Sequence, residues 1–368
     1  MKILLFGEYS GFFNCLKDGL ISLGHDVFLA SNGDGFKNYP SDFRWDSHFA
    51  PKLGKLGPLY NMANILYHKN LFTGFDVVLL INPTDLARYK WVNKPVYDYI
   101  VKHNNKVFLS GSGDTSVMFN YWYNSQTKYR SYYEGYLLDD KNCRFLAHGR
   151  LEWEQELMDK IDGYIPIWYE YLVPYDNNPK CTNVVRIPVN ISNFDYKPNI
   201  LMDGKVVFYH GLTRECKGGK RYIKPAMDKI RKDYSDKAEF ICAQKLPFKE
   251  YMSVIEKTNV IIDDANSYSI AMNGLFSLAK GKIVMGGAEP VANAIYGYDD
   301  NPVFNINPDI DQICDTMINI IKRKDEIEEI GKRGRMMVEK YHHHIDIAKQ
   351  YESIFLRALN NSPIHTSK

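Results

Sequence analysis

The stretch VVFYHGLTRECKGGKRYIKPAM, Val206 to Met227, decides how this chain is read. Val206 to Tyr209 is a short apolar run without alternation, the pattern of a strand buried on both faces of a parallel sheet. It leads into a polar, glycine-bearing loop, His210 to Gly219, and then into a helix over Tyr222 to Ile230. Gly211, Gly218 and Gly219 let the backbone come close to a ligand. The N–H groups at a helix start favour an anion. Arg214 can grip a phosphate through two parallel hydrogen bonds, while Lys217 or Lys220 adds a point charge. These residues describe a diphosphate site; the alternative is a charged surface turn ahead of a helix. The loop lacks GxxxxGK[ST] and is not a Walker A loop. His210, at the strand end, either touches the same ligand or packs beneath the loop.

Downstream, YMSVIEKTNVIIDDANSYSIAMNGLFSLAKGKIVMGG runs from Tyr251 to Gly287. A strand over Val260 to Ile262 ends in Asp263 and Asp264. A polar loop with Asn266, Ser267 and Tyr268 enters a small-residue helix, Ile270 to Ala279, and Gly281 returns the chain to a strand over Ile283 to Met285. Asp264 reads equally as a ligand contact and as a strand-end or helix-capping carboxylate. The same alternation supplies a strand at Phe240 to Ala243 and helices at Phe248 to Glu256, Ile310 to Lys322 and Asp325 to Lys340. Gln244, with Lys245 to Pro247, follows a strand where a nucleotide base could be met by backbone groups.

The N-terminal half repeats the logic with different residues. Ile3 to Phe6 is a buried strand, Gly7 and Gly11 bracket a loop, and Phe12, Cys15, Leu16, Gly19, Leu20 and Leu23 recur at helical spacing. Gly24 ends that helix and Val27 to Ala30 is the next strand. A strand–glycine–helix turn is a usual place for a ligand, which makes Gly11 a candidate contact. Further strands are expected at Val77 to Ile81, Val107 to Leu109 and Tyr164 to Ile167, with helices at Pro95 to His103 and Glu152 to Ile161. Asn38 to Asn70, rich in Pro and Gly, reads as loop and irregular helix; Lys52 and Lys55 there face either solvent or an anionic surface. Asp114, in LSGSGDTS, is either a base reaching a substrate or a turn cap, and Glu170 is a second candidate base. The first turn, GEYSGFF, is not GxGxxG, and Asp34 lies in a loop, which argues against a dinucleotide dehydrogenase.

The expected fold is α/β, with two Rossmann-like doubly wound domains facing a cleft. The N-terminal domain is 1–187. A linker at 188–203 carries two prolines and no sustained period. The second domain is 204–344, and a helix in 345–368 is expected to pack back on the first.

Composition narrows the function. Lys plus Arg number 46 against 44 Asp plus Glu in 368 residues, a net charge of +2, so charge makes no case for nucleic acid as a partner. None of the 6 cysteines forms a CxxC pair, so neither a zinc site nor a thioredoxin-like motif is expected. Scattered cysteines suit a reducing cytoplasm. The apolar run at the N-terminus is too short for a signal peptide, and no stretch suits a membrane span. His342 to His344 reads as a helix-end surface cluster, and no metal site is expected.

The two long stretches and their order resemble the C-terminal half of retaining GT-B glycosyltransferases of the large family numbered four. Arg214 and Lys217-Gly218 match that family's loop on the donor diphosphate. Tyr251, Asn259-Val260-Ile261 and Leu278 to Val284 match its segment on the donor sugar and ribose. The likeness covers most of Val206 to Glu289, and a divergent bacterial subgroup fits better than the main family. Phe276 stands where the ribose-binding glutamate usually is, and Tyr268 where the first of the paired glutamates is; either other groups such as Asn273 or Glu289 take over, or the donor sits differently.

The resemblance implies transfer of a sugar from a nucleotide-diphosphate sugar to a glycan or lipid-linked glycan in surface-polysaccharide assembly. It implies no cofactor and no metal, with peripheral contact at the inner membrane face for a lipid-linked acceptor. It makes Arg214, Lys217 and Asp114 the catalytic candidates. Gly11, His210, Gly211, Gly218, Lys220, Gln244, Asp264, Tyr268, Asn273 and Glu289 would surround the donor. A nucleotide-sugar epimerase and a catalytically inactive binding protein of the same fold are the alternatives.

Overall fold

The computed structural model describes residues 1–46, 53–54, 56–139, 143–212, 214–244 and 248–364. The readings placed on Lys52, Lys55 and 245–247 therefore lie outside the described residues. The chain forms two compact units. Unit 1 is Met1–Tyr121, Arg144–Asn190 and His343–Lys368; unit 2 is Trp122–Cys143 and Ile191–His342.

Unit 1 is built on β1 (Lys2–Phe6), β2 (Asp26–Ser31), β3 (Phe43–Arg44), β4 (Val77–Leu80), β5 (Lys106–Gly111) and β6 (Gly163–Pro166). They form one parallel sheet in the order β3-β2-β1-β4-β5-β6. The order reverses between β1 and β4, and ligands in such sheets bind outside the strands' carboxyl ends at that switch point. Ile3, Leu4, Leu5 and Phe6 are all fully buried, which explains an apolar run without alternation. The Phe6 ring stacks on Trp45 at 4.7 Å and meets the edge of Tyr97 at 5.7 Å.

The last helix, His344–Leu359, lies against the first, Phe12–Ser22. A Cβ on Gly19 would fall 2.4 Å from the His344 carbonyl oxygen, so glycine is what permits the approach. Asn190 Nδ2 donates to Asp18 Oδ2 at 2.7 Å in the same region.

Unit 2 is built on β7 (Val206–Gly211), β8 (Ala238–Ala243), β9 (Val260–Ile262), β10 (Ile283–Gly286) and β11 (Phe304–Asn305), parallel throughout, in the order β11-β10-β9-β7-β8. Its switch point lies between β7 and β9. Val206, Phe208, Ile262, Met285, Ile313 and Met317 share one core, with the helix Ile310–Lys322 laid over the sheet. Asp309 caps that helix, accepting from the N–H groups of Asp311 at 2.8 Å and Gln312 at 3.1 Å.

Four readings change. The first domain is expected to hold all of 1–187, whereas Trp122–Cys143 clusters with unit 2. The reason is local: Tyr133 and Tyr136 on its helix, Arg130–Asp139, are buried, and Gly135 sits on the backbone of Cys216. Within Asn38 to Asn70 the structure has β3 and a regular helix, Gly57–Tyr67; Pro58, read as a breaker, stands in the helix's first turn, where its missing N–H costs nothing. The helix expected from Tyr222 begins as a π-type turn, Gly219–Ile223, and becomes α-helical only over Lys224–Ile230. His342 and His344 are buried rather than superficial, and His342 Nε2 lies 2.7 Å from Tyr298 Oη.

Candidate functional site

The loop after β7 carries the densest chemistry. Arg214 is extended, Glu215–Lys217 makes one tight turn, and Gly218 takes a left-handed conformation with φ 73°. A side chain there would be strained, and its Cβ would lie 2.9 Å from the Tyr222 ring. The Gly218 carbonyl then accepts from Tyr222 N at 2.8 Å and Ile223 N at 3.2 Å, which opens the π-type turn. Such turns are uncommon and frequent at functional sites.

The two lysines of this loop part company. Lys217 turns inward, its Nζ 3.7 Å from Asp263 Oδ1 at the end of β9. Lys220 is more exposed and pairs with Glu215 Oε1 at 2.6 Å. Arg214 Nη1 lies 3.4 Å from Tyr136 Oη.

His210 ends β7 beneath the loop and is 1% exposed. Its Nδ1 lies 2.8 Å from the Ile262 carbonyl oxygen, so Nδ1 carries the proton and Nε2 is left as an acceptor. Nε2 has no hydrogen-bond partner among the described residues. It faces Gly219, where a Cβ would come within 2.5 Å of it. Burial, with Lys217 nearby, pushes the imidazole down to about 4, so it is neutral at pH 7. His210 thus ties β7 to β9 directly under both loops.

The loop after β9 is pinned by its own carboxylates. Asp263 Oδ2 accepts from Ala271 N at 3.1 Å, at the start of the helix Met272–Ala279. Asp264 Oδ1 accepts from Asn266 N at 2.8 Å. Burial pushes Asp264 up to about 7, against the opposing pull of Lys217, the Asn266 N–H and Arg214. The turn-forming role of Asp264 is therefore present, in a group that titrates near neutrality.

Glu289 collects three donors on one oxygen. Oε1 lies 2.6 Å from Asn305 Nδ2, 2.8 Å from Tyr129 Oη and 2.9 Å from Lys128 Nζ. Burial would raise its pKa, but these donors outweigh burial and hold it below the ordinary glutamate value. Tyr268 Oη lies 2.7 Å from Thr127 Oγ1, and its ring meets Tyr129 edge-on at 4.6 Å. Behind this loop, a Cβ on Gly287 would fall 2.3 Å from the Ser267 carbonyl oxygen.

Unit 2 thus brings His210, Gly211, Arg214, Lys217, Gly218, Lys220 and Asp264 to adjoining loops at one switch point, with Tyr268 and Glu289 on the segments beside them. Gln244 is exposed just past β8, the strand beside β7. Asn273 is exposed on the first turn of its helix. Phe276, aligned in the sequence reading with a ribose-binding glutamate, packs on Phe194 with ring centroids 4.6 Å apart. Gly11 and Asp114 belong to unit 1. Gly11 has φ 86° and its N–H donates to Glu8 Oε1 at 2.8 Å; Asp114 follows β5. Glu170 is buried on a short helix of unit 1, Tyr169–Leu172, and His148 is exposed.

Sequence reasoning missed two sets. In unit 1, Glu8 is fully buried and accepts from Gly11 N at 2.8 Å, Asn14 N at 2.9 Å and Asn14 Nδ2 at 2.6 Å. Burial pushes it up to about 7, and does the same to Asp85 beside Tyr9. Both follow strands that flank the unit 1 switch point. A carboxylate directly after a buried strand and between two glycines was the available signal for Glu8. The second set, Thr127 to Tyr136, has no local signal, since its partners lie 78 to 178 positions away. Among the described residues, no group of three or more His, Cys, Asp or Glu side chains is arranged to hold a metal ion. No described helix is long and apolar enough to cross a membrane.

This is the GT-B fold, in which both halves are Rossmann-like. Sucrose-phosphate synthase of Thermosynechococcus elongatus is similar over 98% of this chain and 100% of its own, with a TM-score of 0.62 and 12% identity. HepE of Anabaena, solved in complex with UDP-glucose, is similar over 98% of this chain and 100% of its own, with a TM-score of 0.58 and 11% identity. UDP-GlcNAc 2-epimerase of Neisseria meningitidis, bound to UDP-GlcNAc, covers 97% of this chain and 100% of its own, with a TM-score of 0.50 and 11% identity. No family model and no curated protein sequence matches the chain.

Proposed function

We propose that the chain is a glycosyltransferase that moves a sugar from a nucleoside-diphosphate sugar to a glycan or lipid-linked glycan acceptor, in surface-polysaccharide assembly. The observation that carries this reading is the unit 2 switch point, where Arg214 and Lys217 share a loop that turns on Gly218. Solved neighbours of the same fold hold UDP-sugars, which supports a donor of that class.

In this reading the reaction is substitution at the anomeric carbon, with the nucleoside diphosphate leaving. Negative charge grows on the departing phosphate, and Arg214 and Lys217 stabilise it; a well-placed contact of this kind contributes about 3–4 kcal/mol to the transition state. Lys217 also faces Asp263 at the end of β9, which holds its ammonium toward the loop. The departing phosphate takes the acceptor's proton, the outcome is retention, and the two side-chain cations do the work a metal does elsewhere. Gly218 and the π-type turn bring backbone to the phosphates, Glu289 and Tyr268 bound the sugar side, and Gln244 lies toward the base. The acceptor binds mainly on unit 1, near Gly11 and Asp114, and a lipid-linked acceptor brings the protein to the inner membrane face.

The test is incubation with UDP-, GDP-, ADP- and CMP-sugars, with and without a panel of lipid-linked and soluble glycans. Acceptor-dependent release of nucleotide, with a new glycoside, supports transfer. An isomerised nucleotide sugar without acceptor identifies an epimerase. No turnover, with glycan binding intact, identifies a binding protein.

A further inference from the structure

The chain leaves unit 1 at Tyr121 and returns to it at Arg144. Between those points it contributes side chains to each of the unit 2 loops described above. Thr127 Oγ1 meets Tyr268 Oη at 2.7 Å. Lys128 and Tyr129 meet Glu289 at 2.9 and 2.8 Å. Ser131 Oγ donates to Asn266 Oδ1 at 2.6 Å, and Tyr136 Oη lies 3.4 Å from Arg214 Nη1.

The tightest convergence is on Cys216, in the turn between Arg214 and Lys217. Cys216 is 0% exposed. Its carbonyl accepts from Asn266 Nδ2 at 2.7 Å, and Asn266 is the residue that Ser131 holds. A Cβ on Gly135 would lie 2.4 Å from Cys216 Cα and 2.5 Å from its nitrogen. Backbone thus packs on backbone at that point, and only glycine on the helix Arg130–Asp139 allows it. Ser131 and Gly135 are four positions apart, so they share one helix face.

We infer that Trp122–Cys143 is a strap that sets the Arg214–Lys217 loop, with Ser131 and Gly135 as positioning residues acting through Asn266 and Cys216. The inference rests on reading that loop as the diphosphate site. The strap is also hydrogen-bonded to Tyr268, which stands where the resemblance places the first of the paired glutamates, and to Glu289. Displacing the helix by the width of one methyl group moves the turn that carries Arg214, so the effect appears in nucleotide affinity while the chain remains folded.

The experiment uses the full chain with Gly135→Ala, Ser131→Ala and Ser131→Thr. Labelling of each cysteine by a thiol reagent is followed by mass spectrometry, and affinity is measured for whichever of UDP, GDP, ADP and CMP binds the wild type. In the wild type Cys216 labels slowly. Gly135→Ala is expected to speed Cys216 labelling about tenfold and to weaken nucleotide binding about tenfold, with the melting temperature lowered by several degrees because the new methyl meets backbone, and the chain still folded at the assay temperature. Ser131→Ala is expected to change both about threefold in the same direction, and Ser131→Thr, which keeps the hydroxyl, to restore both. Unchanged Cys216 labelling or unchanged affinity in both Gly135→Ala and Ser131→Ala overturns the inference. So does a loss of affinity that only tracks a collapse in melting temperature. A wild type that binds none of the nucleotides defeats the functional reading instead, and is told apart because Cys216 labelling still responds to Gly135→Ala.

Discussion

Two switch points lie in this molecule, one per sheet, and the loops around them carry opposite chemistry. In unit 1 the residues after β1 and β4 include Glu8 and Asp85, buried carboxylates both pushed up to about 7. In unit 2 the residues after β7 bring Arg214, Lys217 and Lys220, and the carboxylates after β9 are engaged by Lys217 and by backbone N–H groups. Parallel-sheet topology provides the crevice in both cases. The charge of the loop residues then decides what the crevice can hold. A cationic, glycine-turned loop suits a diphosphate. A dry pair of carboxylates suits groups that exchange a proton or accept a hydrogen bond.

The contrast breaks most visibly at Arg214. Arg214→Ala is expected to lower turnover about 10²- to 10³-fold, the loss of one such contact in the transition state, while the melting temperature stays within a few degrees. Near wild-type turnover in single-turnover kinetics would remove the loop from the reaction.

The acidic side is sharpened by pH. Glu8 has a raised pKa in the folded chain, so the folded state holds its proton more tightly than the unfolded state. The stabilisation is complete below about pH 4.5 and is lost as pH rises toward 7. From the size of that shift the loss is up to about 3 kcal/mol. Glu8→Gln should flatten this part of the stability–pH curve, followed by urea unfolding between pH 4 and 8. A variant whose curve still falls as steeply would mean that Glu8 ionises freely in the folded state.

The smallest effect on binding is expected at Phe276. Its ring packs on Phe194, so Phe276→Glu should cost about 1–3 kcal/mol of stability, with nucleotide affinity changed less than twofold by calorimetry. A marked gain or loss of affinity would restore this position to the ribose.

Much of this was legible because strands buried on both faces announce themselves. Ile3 to Phe6, Val77 to Leu80, Val206 to Tyr209 and Val260 to Ile262 are unbroken apolar runs, and all are buried strands. The cationic loop after β7 was legible for a similar reason, since its glycines and cations are contiguous in sequence. Two kinds of feature were hidden. Short edge strands such as β3 and β11 bury too few residues to leave a pattern. The strap gives no local signal, because Tyr129 reads as one more tyrosine among 27 until its hydroxyl is found on Glu289. The choice between Lys217 and Lys220 was also beyond the sequence. It depends on the left-handed turn at Gly218, which separates an inward lysine from an outward one.

The most direct test of the central claim is thermal stability of the wild type and of Arg214→Ala against UDP, GDP, ADP and CMP. A ligand present at about 100 times its Kd stabilises the folded state by about 2.7 kcal/mol. The account predicts that one nucleoside diphosphate raises the melting temperature of the wild type by several degrees and that Arg214→Ala loses most of that shift. A wild type unmoved by every nucleotide, or an Arg214→Ala variant that shifts as much as the wild type, would contradict it.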